Sequence, residues 1–111
     1  MATSIDFTKI FGDMVKAAES SLKDKWPDVR DLATSSIKTL AQNIVDIEKM
    51  KASRSVTNEQ ARLMIGIQQN AFKIVLLSEE GLGLLTVEAA LNAVLKVIRS
   101  AVNTALGFTL I

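Results

Sequence analysis

Apolar residues recur at helical spacing through most of this chain. Phe7, Ile10, Phe11, Met14, Ala18 and Leu22 form one stripe, which predicts a first helix over about 4–23. Ser4 is suited to cap it, and Asp6 falls in the first turn, where the helix dipole favours a carboxylate. A charged corner from Lys23 to Trp26 follows. Pro27 fits the first turn of the next helix, because its missing N–H costs nothing there. That second helix is predicted over about 27–52. Within it Ala33, Ile37, Leu40, Ile44 and Ile47 are spaced 4, 3, 4, 3, the narrow seam of a helix packed on a helix. Lys38, Gln42, Asp46 and Lys49 fall on its opposite, wet face.

Thr57 and Gln60 have the spacing of a capping box and open a third helix, predicted over about 57–80 and stopped by Gly81 and Gly83. At 100° per residue, Glu59, Arg62, Gly66, Gln69, Asn70, Lys73 and Glu80 share one arc of roughly 100°. Most of the remainder is Leu, Ile, Met, Val and Phe, with Gln68 set among them. The fourth helix, predicted over about 86–106, has three sectors. Glu88, Asn92, Lys96, Arg99 and Asn103 form a polar stripe. Thr86, Ala89, Ala93, Ser100 and Thr104 form a small-residue sector. Val87, Leu91, Val94, Leu95, Val97, Ile98 and Val102 form a bulky one. Such a helix can bury two faces at once. Gly107 is placed to end it, before an apolar tail, Phe108 to Ile111.

No run alternates in the manner of a strand, and proline occurs once against five glycines. The fold class is therefore all-α: a four-helix bundle-like single domain over 1–111, with antiparallel neighbours, completed by oligomerisation.

Charge sharpens this picture. Of 25 charged residues, 18 lie in positions 1–60 and 7 in 61–111. Apolar residues run the other way, with 24 in the first part and 30 in the shorter second part. A domain of 111 residues has a small core, so the apolar surplus of the C-terminal half must meet something. Net charge is +1, which gives no long-range attraction for nucleic acid. Met1 to Ile10 carries Asp6 and Lys9 and has no apolar stretch of the signal-peptide type. No uninterrupted apolar run reaches the ~18 residues of a spanning helix. A cytoplasmic location is the favoured expectation, in keeping with the absence of cysteine.

Candidate chemistry is sparse. Histidine, tyrosine and cysteine are all absent, which removes the commonest general base, the commonest metal ligand and the thiol nucleophile. Glu79-Glu80 reads as a solvated helix end, and Gly81-Leu82-Gly83 as a turn without the Lys-Ser/Thr of a phosphate loop. Ser20-Ser21 and Ser35-Ser36 have only lysines as nearby bases. Lys49, Lys51 and Arg54 form a basic cluster diluted by Asp46, Glu48 and Glu59. Trp26 reads as a plug at the corner between two helices, with an interface anchor as the alternative.

The expected function is therefore non-enzymatic, with no cofactor and no metal. The chain is expected to be a self-associating scaffold or adaptor that assembles through its apolar C-terminal half. The expected contact residues are Gln68, Phe72, Ala89, Leu91 and Ala93, continuing through Val94, Val97, Ile98, Ser100 and Val102. Another helical protein, or a lipid surface entered by the hairpin 61–106, is the alternative partner. A carrier of an apolar small molecule is a third reading, with no cavity singled out by sequence.

Overall fold

The first helix begins where Asp6 caps it: the Asp6 carboxylate accepts a hydrogen bond from the Lys9 N–H at 3.3 Å. The structure, a computed structural model, describes residues 5–79 and 81–106, with side chains up to Asn103. Ser4, Glu80, Gly107 and the tail 108–111 lie outside the described residues, as does the side chain of Thr104. Among the described residues four helices form: α1 (Phe7–Leu22), α2 (Trp26–Ala52), α3 (Asn58–Leu77) and α4 (Leu84–Leu106). Among the described residues there is no strand. The cap of α1 is thus Asp6, two positions beyond the expected Ser4.

Each junction has a local cause. Between α1 and α2 the chain turns through a short 3-10 segment, Lys23–Lys25. Lys23 takes φ 52° there, a backbone region that a side chain disfavours. Trp26 is buried at this corner, with Pro27 in the first turn of α2. The end of α2 is closed by two returning bonds. The Arg54 N–H donates to the Lys51 carbonyl at 3.1 Å, and the Ser55 N–H to the Met50 carbonyl at 2.8 Å. This is the Schellman arrangement, with Arg54 in the left-handed position at φ 60°.

The capping box at α3 is complete. Thr57 Oγ1 accepts from the Gln60 N–H at 3.1 Å, and the Gln60 side chain accepts from the Thr57 N–H at 2.8 Å. α3 stops three residues before the expected end, where the Ser78 hydroxyl donates to the Val75 carbonyl at 2.6 Å. Gly81 then adopts φ 92°, which supplies the freedom that this turn requires. α4 begins at Leu84, two residues before the expected start.

Around the bundle the helices follow chain order. α1 lies against α2 and α4, α3 lies against α2 and α4, and α2 meets α4 across the diagonal. Short connections make sequence neighbours antiparallel. α4 packs chiefly on α1, and α3 chiefly on α2; the α3–α4 contact is slighter. The 27 residues of α2 span about 40 Å at 1.5 Å per residue and set the long axis of the molecule, 43 Å. Ile10, Met14, Ala18 and Leu22 from α1 meet the α2 seam, Ala33 to Ile47, whose five positions are all buried. Ala61, Ile65, Phe72 and Leu76 come from α3, and Val87, Ala90, Val94, Ile98 and Val102 from α4. Among the described residues no polar side chain is buried, so apolar burial and shape hold the interior together.

Candidate association surface

The inward face of α3 is set by Ala61, Ile65, Phe72 and Leu76. At 100° per residue the direction directly opposite is occupied by Leu63, Ile67, Asn70, Ile74 and Leu77. The outermost face of this helix is therefore apolar. Leu63 is 69% exposed, Ile67 and Ile74 each 64%, and Leu77 40%. Leu84 and Leu85, at the start of α4, are exposed as well. A lone exposed leucine is ordinary on a protein surface, but a row of four large aliphatic side chains along one helix is not. From Leu63 to Leu77 the row covers about 21 Å.

The polar residues of α3 sit on one flank of this row. Glu59 and Arg62 are exposed there, and Gln69 and Lys73 are half-buried. Gln68 is half-buried on the other side, near Met64. The surplus of apolar surface expected from the sequence is thus present, but its place is different. Phe72, Val94, Ile98 and Val102, expected at the association surface, are fully buried within the single chain. They fill the core that the four helices close among themselves, so they offer nothing to a second molecule while the fold is intact. Leu91 and Val97 are partly buried against that core. Ala89 and Ser100 are exposed, and Ala93 is half-buried.

Ala93 and Ser100 border a second feature, an open groove of about 780 Å³ between α1 and α4. Asp13, Ala17 and Ser20 line one side, and Ala93, Val97 and Ser100 the other. Lys9 and Lys96 also line it. Trp26 does not reach the surface as an anchor; it is the corner plug. Lys51 donates to the Asn58 side chain across the α2–α3 turn, so the basic cluster serves partly to join two helices. An ion pair between Arg30 and Asp31, at 3.6 Å, is exposed on both sides and contributes little.

The sequence signal for the α3 row was its spacing. Leu63, Ile67, Asn70, Ile74 and Leu77 repeat at 4, 3, 4, 3, as the α2 seam does. Asn70 in the middle assigns itself to the polar arc and hides the row.

Comparison with protein-family models, with curated proteins and with solved structures finds no match for this chain.

Proposed function

We propose that this chain is a non-enzymatic, self-associating structural protein, a scaffold or adaptor, that assembles through the outward face of α3. One observation carries the reading: the side of α3 farthest from the core presents Leu63, Ile67, Ile74 and Leu77 to solvent. Removing such a row from water stabilises an assembly by roughly 25 cal/mol for each Å² of apolar surface covered. A second copy supplies a matching row at the same concentration as the first, and two-fold pairing is the commonest way to cover one.

Lipid as the partner has weaker support. Among the described residues no helix is long and apolar enough to cross a membrane. Insertion of the hairpin 61–106 would also have to draw Phe72, Leu76, Val94 and Ile98 out of the core.

Light scattering after size exclusion, run over a concentration series, tests the proposal. The mass is expected to rise above one chain with concentration, and Ile67→Asp is expected to return it to one chain without loss of helicity. A wild-type mass of one chain up to about 100 μM, weaker than the ordinary range of specific complexes, would overturn it.

A further inference from the structure

The α3 row reads Leu-Ile-Asn-Ile-Leu from either end, and its positions are symmetrical about Asn70 to within one residue. A two-fold interface needs that property, because a residue that meets a given neighbour on the other copy must be met by it in return. Resting on the self-association reading above, we propose that two copies pair α3 against α3 in antiparallel register, with the two Asn70 side chains facing each other beside the two-fold axis. Leu63 of one copy then lies against Leu77 of the other, and Ile67 against Ile74.

The flanks of the row select the direction. Glu59, Gly66 and Lys73 border it on one side, and Met64, Ala71 and Ser78 on the other. In a parallel pair each flank meets the opposite flank of the second copy, which sets Lys73 and Glu59 against the less polar side. Reversing one helix brings like to like. Ala71 then sits beside its own counterpart and Met64 beside Ser78, extending the apolar seam. Lys73 sits beside Gly66, which leaves its ammonium room to stay in water.

Asn70 fixes the register. It is exposed in the single chain, so pairing must take its amide out of water. A carboxamide both donates and accepts, so two facing amides satisfy each other. A slipped pairing sets each amide against Ile or Leu and leaves it without a partner, which penalises that arrangement.

The chain has no cysteine, which makes cross-linking clean. Leu63→Cys and Leu77→Cys are made separately, and both positions are exposed, so the fold is kept. Under mild oxidation an equal mixture is expected to form the mixed disulfide about tenfold faster than either variant links to itself, because pairing raises the local thiol concentration. Efficient self-linking of Leu63→Cys would mean a parallel pair and overturn the proposal. A dimeric mass with no efficient cross-link in any combination would overturn the register and leave self-association standing. A single-chain mass for the wild type would remove the reading beneath it. Asn70→Asp gives an independent check, since it places two carboxylates face to face. Dimerisation is expected to weaken about tenfold or more near neutral pH and to recover below about pH 4 as the acids protonate. An unchanged dimer at both pH values would show that position 70 is away from the axis.

Discussion

The carboxylate of Glu48, near the end of α2, accepts the backbone N–H of Ile5 at 2.9 and 3.0 Å, across 43 positions of sequence. The contact is partly buried and ties the residues before α1 to the second helix. Replacing Glu48 with alanine leaves that N–H without its partner. Glu48→Ala is expected to destabilise the fold by about 1–2 kcal/mol in urea unfolding. Hydrogen exchange at Ile5 should accelerate by a larger factor than exchange in the middle of α2.

Lys23 and Arg54 hold positive φ values, 52° and 60°, without being glycine. Lys23→Gly and Arg54→Gly are each expected to raise stability, by about 1 kcal/mol, because the strain removed exceeds the added freedom of the unfolded chain. Gly81→Ala should act in the opposite sense, since the alanine would have to adopt φ 92°. Thermal midpoints of the three variants check both signs at once.

Thr57 caps α3 through the reciprocal pair with Gln60. Thr57→Ala removes one half of that pair and is expected to cost about 1 kcal/mol. The loss should be read as a shift in the urea midpoint with an unchanged slope, since a cap alters stability without altering the surface exposed on unfolding.

Val94 and Ile67 differ in what an aspartate would meet. Val94 is fully buried, and Val94→Asp would place a charge among apolar side chains with no partner. Loss of the cooperative fold is expected, or at least about 4 kcal/mol of destabilisation. Ile67 points into water, and Ile67→Asp should leave unfolding within about 0.5 kcal/mol of the wild type. Circular dichroism during urea titration separates the two outcomes.

Much of the fold is legible in the sequence because each helix carries its own boundary chemistry. The α2 seam has one narrow apolar stripe, so only one face could turn inward, and all five seam positions are buried. Thr57 and Gln60 announced the start of α3, and Gly81 its turn. The exposed apolar row on α3 was harder to read for a physical reason. α3 is apolar over most of its circumference, and periodicity alone does not say which apolar sector meets the core. Phe72 joined the interior and Ile67 did not, because the neighbouring helices fix the roll of α3 about its axis. The same holds for α4, where Val94, Ile98 and Val102, expected among the contact residues, instead fill the interior of their own molecule. Asp6 rather than Ser4 caps α1 because the backbone at Asp6 is extended, at ψ 112°, and its carboxylate reaches the Lys9 N–H.

The slight contact between α3 and α4 makes the two ends of the polypeptide mutually dependent. The last helix is held chiefly by the first, so its docking must close a loop that includes all of α2 and α3. Closure over that distance carries more entropy loss than any hairpin in the molecule. Clipping α1 would therefore release α4 as well, and a nascent chain would keep the side of α1 that receives α4 unsheltered until α4 had been made.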